Sequence, residues 1–195
     1  IDVSGSMAMF DQGRSTIKEA QKARVRLDRA RKQLLVAIES LPKAARFNII
    51  AYSNKVTAWQ KGLKPASKSA IKSAGKFVKE FLARGATYTD DALKRAFEDR
   101  EADTIVLLSD GAPTKPEFPS AFLIEQILKD IANLNAARKM RINTFGFEGV
   151  GGWPDKIPGQ PSGPLPLPTP KDVEVFAGFM KQLAEDNHGS FQSIK

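Results

Sequence analysis

The apolar positions of this chain alternate between a helical and a strand rhythm. Over about residues 15–41, Val25, Leu27, Leu34, Leu35, Ile38 and Leu41 supply the apolar side of a long basic helix, and Pro42 ends it. Phe47-Asn48-Ile49-Ile50-Ala51-Tyr52 reads as the next strand, followed by a short edge strand over residues 56–59. Ile71, Phe77, Val78, Phe81 and Leu82 mark a helix over about residues 67–83. A shorter helix follows Thr89, with Thr89 or Asp90 suited to its N-cap. Ile105-Val106-Leu107-Leu108 is an unbroken apolar run closing on Ser109-Asp110-Gly111, the pattern of a buried parallel strand with a carboxylate at its C-terminal end. A helix over about residues 120–139, a strand over residues 142–147, a helix over residues 173–187 and a strand over residues 190–194 complete the chain. Such alternation predicts an α/β fold: a Rossmann-like, doubly wound, mainly parallel sheet flanked by helices, with one short antiparallel edge strand.

Residues 149–170 break that rhythm. They are rich in proline and glycine, carry Trp153, and are too long for an ordinary strand-to-helix connection. The segment leaves the C-terminal end of a strand, so it is expected to rise on the ligand-binding edge of the sheet. It reads as a solvated insertion with polyproline II character, or as a rim that sets specificity.

Composition changes this picture little. A chain of 195 residues with 42% hydrophobic and 27% charged content fits one soluble domain over residues 1–195. No apolar run is long enough to span a bilayer. Without cysteine there is no disulfide framework, zinc thiolate site or thiol nucleophile. The single histidine, His188, sits before Gly189 in a turn and has no nucleophile beside it in sequence, so a structural role is expected.

Candidate chemistry begins at once. Asp2-Val3-Ser4-Gly5-Ser6-Met7 places a carboxylate and two hydroxyls at alternate positions. In a tight turn after a strand, that spacing points three oxygen groups at one spot, and Gly5 eases the backbone path. Oxygen-only ligands suit a hard cation: Mg²⁺, with Mn²⁺ as a substitute and Ca²⁺ also admissible. Only Ile1 precedes Asp2, whereas a strand ending there needs an apolar run before it. The chain is therefore expected to be an excerpt whose first, central strand is cut short. A version extended upstream by a strand's length should melt higher; equal melting temperatures would contradict this.

These residues, with Thr87 in Gly85-Ala86-Thr87-Tyr88-Thr89 and Asp110 after its strand, resemble the von Willebrand factor type A family and its metal-ion-dependent adhesion site, in a form closest to the bacterial branch. The resemblance implies a metal held by Asp2, Ser4, Ser6, Thr87 and Asp110. The serine hydroxyls would bind it directly, and the two aspartates largely through water. It also implies a protein partner presenting Glu or Asp to the metal, and no catalysis. Met7, Tyr88, Thr114 and Trp153 are expected on the rim around that contact. The compartment stays open, leaning toward secreted, periplasmic or cell-surface.

Two other function classes compete with this one. A metal-dependent phosphohydrolase on a similar scaffold needs a second acid two residues after the first, and Ser4 stands there. A nucleic-acid-binding domain would use the net charge of +8. Lys18, Lys22, Arg24, Arg26, Arg29, Arg31 and Lys32 crowd the first helix, but few aromatics interleave for base stacking. A solvated basic face that steers acidic partners is the preferred reading.

Overall fold

The computed structural model describes residues 1–9, 26–147 and 169–194. Its largest sheet is parallel, in the order β5-β6-β7: β5 Thr104–Ser109, β6 Arg141–Phe147 and β7 Phe191–Ile194. The four strands before them in the chain form two antiparallel pairs. β2 (Ile50–Tyr52) pairs with β3 (Val56–Ala58), the expected edge strand. β1 (Arg46–Phe47) pairs with β4 (Lys64–Pro65), which the sequence pattern did not announce.

The strand expected over residues 47–52 is thus divided, and Asn48 divides it. Its Oδ1 accepts the N–H groups of Ile49 (2.8 Å) and Gln60 (3.1 Å), and its Nδ2 donates to the Gln60 carbonyl (2.9 Å). A side-chain amide there stands in for ladder bonds.

Residues 1–3 join the sheets. Asp2 N–H donates to Leu108 O (2.8 Å), Val3 N–H to Tyr52 O (2.8 Å), and Tyr52 N–H to Ile1 O (3.0 Å). This short parallel bridge lies between β2 and β5. Beyond Ile1 the same two strands flank a cleft of about 940 Å³, lined by Phe47, Ile49, Leu108 and Leu34 among others. Val106, on that cleft, is 49% exposed although it belongs to the strand that reads as most buried.

Helices cover both faces. α1 (Arg26–Glu39) buries Leu27, Ala30 and Ile38; the earlier part of the helix expected from residue 15 lies outside the described residues. α2 (Lys68–Lys79) starts at Ser67, whose Oγ accepts the Ala70 N–H at 3.2 Å, and it buries Ala74 and Val78. With Ile1, Met7 and Leu108 these side chains form one core cluster. The other cluster lies under α3 (Thr89–Phe97), α4 (Ser120–Arg138) and α5 (Pro170–Glu185), and contains Leu93, Ile127, Ile142, Met180 and Leu183. α5 begins earlier than its apolar pattern indicates, because Thr169 and Asp172 form a reciprocal capping box with Pro170 at the first turn. Among the described residues no helix is long and apolar enough to cross a membrane.

A neutral polar cluster closes the N-terminal end of the parallel sheet. Asn135 Nδ2 donates to Met140 O (2.8 Å) and Asn187 Oδ1 (2.7 Å), while Asn135 Oδ1 accepts the Met140 N–H (2.7 Å). Asn187 Nδ2 in turn donates to Leu183 O (2.8 Å). At Gly189 a Cβ would lie 1.8 Å from the Ile142 carbonyl oxygen, so only glycine fits beside this cluster.

Candidate metal centre

At the opposite end of the sheet, the chain leaves the bridge at Val3 and turns through a single 3-10 turn, Gly5–Ala8. Met7 N–H bonds Ser4 O (3.1 Å) and Met9 N–H bonds Ser6 O (2.9 Å). This tight turn carries Ser4 and Ser6 to the end of β5, where Ser109 and Asp110 wait. Ser4 N–H donates to Asp2 Oδ1 (2.7 Å), and Ser109 Oγ donates to Asp2 Oδ2 (2.5 Å). Ser6 Oγ donates to Asp110 Oδ1 (2.7 Å), and the Ser4 and Ser6 hydroxyl oxygens are 3.0 Å apart. The Ser6 proton is committed to a carboxylate, so Ser4 must be the donor between the two hydroxyls. Lone pairs on Ser4, Ser6, Asp2 and Asp110 are left over in one small volume.

The third segment is fastened to the first by backbone. Gly5 N–H donates to Gly85 O (2.9 Å), and Arg84 N–H donates to Val3 O (2.9 Å). Gly85 has φ of 78°, and a Cβ there would meet Asn54 Oδ1 at 2.6 Å, so the loop requires glycine. Thr87 follows, buried, with its backbone clipped twice to Thr114: Thr87 N–H to Thr114 Oγ1 (2.9 Å) and Thr114 N–H to Thr87 O (3.0 Å). Among the described residues no hydrogen bond joins the Thr87 hydroxyl to the Asp2–Ser4–Ser6–Asp110 set.

Electrostatics set this cluster apart from an ordinary turn. Asp2 is 0% exposed, yet its hydrogen-bond donors are neutral. Burial, and then the nearby Asp110 charge, push its carboxyl up to about 7. Burial also raises Asp110, against the opposing pull of Arg26, whose Nη1 lies 2.7 Å from Asp110 Oδ2. Tyr52, bridged to Asp2, keeps its phenol protonated far above the usual range because it is buried and then because it faces the Asp2 charge.

Arg26 corrects an expectation. The sequence placed it on a solvated basic face, but it is 2% exposed and paired with Asp110. Its neighbours Leu27 and Ala30 mark the buried side of α1, and that phase was the available signal. The helix start near Thr89 is corrected too. Tyr88 occupies the cap position without a side-chain cap bond. Thr89 is buried, and Lys115 holds Asp90 (2.6 Å) and Asp91 (3.2 Å), so neither candidate folds back onto the helix N–H groups. Of the expected rim, Tyr88 is half-buried under Lys115, whose Nζ is 4.8 Å from the ring centre, and Thr114 is exposed. Met7 is fully buried in the core, because the 3-10 turn points it inward; it supports the loop from below rather than lining a rim. Trp153 lies outside the described residues. The sequence reading missed Phe118 and Phe122, each 47% exposed and stacked at 5.2 Å in and just after the loop that follows Asp110.

The von Willebrand factor type A domain model matches residues 17–151 of this chain. The chain belongs to the von Willebrand factor type A family. Among its relatives, human von Willebrand factor A domain-containing protein 3B is 28% identical over 101 residues, covering 51% of this chain and 8% of that protein. Inter-alpha-trypsin inhibitor heavy chain H1 of Mesocricetus auratus is 27% identical over 145 residues, covering 68% of this chain and 14% of that protein. The chain thus corresponds to a small part of these relatives. The solved structure of a von Willebrand factor type A protein from Catenulispora acidiphila superposes with a TM-score of 0.66 at 17% identity, covering 100% of this chain and 37% of that one. That likeness carries the fold. The match to the family includes Thr87 and Asp110 and begins after Asp2, Ser4 and Ser6.

Whether the residues fit the divalent cation implied for a von Willebrand factor type A site is decided by donor chemistry. Among the described residues no group of three or more His, Cys, Asp or Glu side chains converges. The Asp2–Asp110 cluster is instead rich in hydroxyls, all oxygen, and holds a buried carboxylate with no ion pair among the described residues. Such a set suits a hard cation that retains water ligands, so the residues fit the group.

Proposed function

We propose that this chain is a metal-dependent protein-binding module in which a divalent cation, Mg²⁺ or Mn²⁺, is held by Ser4, Ser6 and Thr87 with Asp2 and Asp110, and accepts a Glu or Asp side chain of a partner protein. The observation that carries this reading is Asp2: a fully buried carboxylate bonded to neutral donors, beside a second carboxylate and two aligned hydroxyls. An isolated buried charge is costly unless a cation meets it. A bound Mg²⁺ supplies an electrophilic position open to an outside carboxylate.

The protein's own residues do the rest. Ser4 and Ser6 present neutral oxygens, which leave a cation more electrophilic than a three-carboxylate cage would. Ser109 orients Asp2, and the Thr114 clip fixes the loop that carries Thr87. Tyr88, Phe118 and Phe122 offer an aromatic surface on which a partner segment would rest. Nothing in this arrangement calls for a general base, and the reading is non-catalytic. The experiment is to measure binding of a Glu-containing peptide library in Mg²⁺, in EDTA and at raised salt. Binding abolished by EDTA and weakly sensitive to salt supports the reading. Binding indifferent to EDTA and falling steeply with salt instead assigns the work to the basic faces.

A further inference from the structure

We infer that Arg26 is a positioning residue of this site: it fixes Asp110 and sets the charge of the cage so that the cation and an outside carboxylate bind as a pair. This rests on the metal-binding reading above and goes beyond it to a residue outside the family's metal-ligand motif.

Arg26 is the first described residue of α1 and is held at the site by its own backbone, whose N–H donates to Met9 O at 3.0 Å. Its guanidinium reaches both Met9 Sδ (3.7 Å) and Asp110 Oδ2 (2.7 Å). The other Asp110 oxygen faces Ser6. Arg26 thereby fixes the rotation of the carboxylate and turns Oδ1 toward the hydroxyl side. It also has an electrostatic effect. With both carboxylates ionised, as a bound cation requires, Asp2, Asp110 and Arg26 sum to one negative charge. Adding a divalent cation makes the site singly positive, and adding an outside carboxylate brings it to neutral. In a buried site uncompensated charge is expensive, so the two ligands favour one another. Without Arg26 the loaded cage would already be neutral, and the carboxylate would gain little.

The test is calorimetric titration of Mg²⁺ into the intact chain, Arg26→Gln and Arg26→Lys, each with and without acetate as the carboxylate probe, with melting temperatures read alongside. Acetate should tighten Mg²⁺ binding to the unaltered chain. Arg26→Gln should bind Mg²⁺ alone about tenfold more tightly, a shift readily resolved in Kd, and should lose the acetate effect. It should also melt lower without metal and gain more from Mg²⁺. Arg26→Lys keeps the charge and should retain the acetate linkage. Equal Mg²⁺ affinity and equal acetate response in the unaltered chain and Arg26→Gln would overturn the role of Arg26 and leave the metal reading intact. An unaltered chain that binds Mg²⁺ with no response to acetate would do the same, even if Arg26→Gln failed to fold. No Mg²⁺ or Mn²⁺ binding by any of the three would overturn both.

Discussion

The two ends of the parallel sheet each bury a polar cluster, and the clusters are wired in opposite ways. At the N-terminal end, Asn135, Met140, Leu183 and Asn187 exchange neutral hydrogen bonds, and the Asn135 amide spends both protons on them. That cluster is closed, because it needs no further ligand to satisfy it. At the C-terminal end, Asp2, Ser4, Ser109 and Asp110 are also buried, with Ser6 half-buried beside them, but this cluster is charged, with Arg26 as the cation on Asp110. The Ser6 and Ser109 hydroxyls donate to carboxylates and the Ser4 hydroxyl donates to Ser6, so the cluster keeps more acceptor lone pairs than donors to fill them. The same fold uses saturated amides where it needs a joint and unbalanced oxygens at the candidate site.

The contrast can be broken most sharply at Asp110. Asp110→Ala should lower Mg²⁺ affinity beyond calorimetric detection, because it removes an anion from the cage and leaves Arg26 as its only fixed charge besides Asp2. An equal cut at the other end should leave metal binding alone. Asn135→Ala strands the buried Met140 N–H and is expected to cost about 3 kcal/mol in urea unfolding, with Mg²⁺ affinity unchanged.

The pH dependence sharpens the electrostatic half of the comparison. In the metal-free fold Asp2 titrates at about 7 rather than 3.8, so between those values the folded chain holds a proton that the unfolded chain has released. Without a cation, this group's contribution to stability therefore falls as pH rises through that window. A cation must displace that proton, so Mg²⁺ affinity should rise with pH, by up to about tenfold per unit, and flatten above about 7. Titration at several pH values, in buffers of different ionisation enthalpy, reads both the affinity and the released proton. A pH-independent affinity would place Asp2 outside the cage. The smallest effect is expected at Thr114→Val, which keeps side-chain shape but removes the acceptor for Thr87 N–H. A loss of about 1 kcal/mol in thermal unfolding, with a few-fold weaker Mg²⁺ affinity, is expected.

The clustering of Asp2, Ser4, Ser6 and Asp110 at the candidate site was legible because its signals are local. Alternate oxygens in Asp2-Val3-Ser4-Gly5-Ser6 and an acid ending the β5 run are patterns within single elements, and the α/β alternation sends both to one sheet edge. What escaped the sequence depends on partners far along the chain. Arg26 meets Asp110 across 84 positions, and one arginine in a basic helix looks like any other until its phase against Ala30 is weighed. Met7 follows the motif, a place that suggests a rim, but a 3-10 turn rather than an extended loop carries it into the core. Asn48 looked like an ordinary strand position, and its amide instead splits the strand by bonding Gln60. Asn135 and Asn187 are unremarkable near the ends of amphipathic helices, and only tertiary packing makes them a network.

The central claim is that the hydroxyl-rich cluster holds one divalent cation, and Mn²⁺ reports on this directly. Free Mn²⁺ gives a six-line electron paramagnetic resonance signal that broadens when the ion is bound. The account predicts that the intact chain removes the free signal up to one equivalent, that excess Mg²⁺ restores it, and that Ser4→Ala and Asp110→Ala leave it untouched. A free signal that grows linearly from the first addition, or one removed equally well by the Asp110→Ala chain, would contradict it.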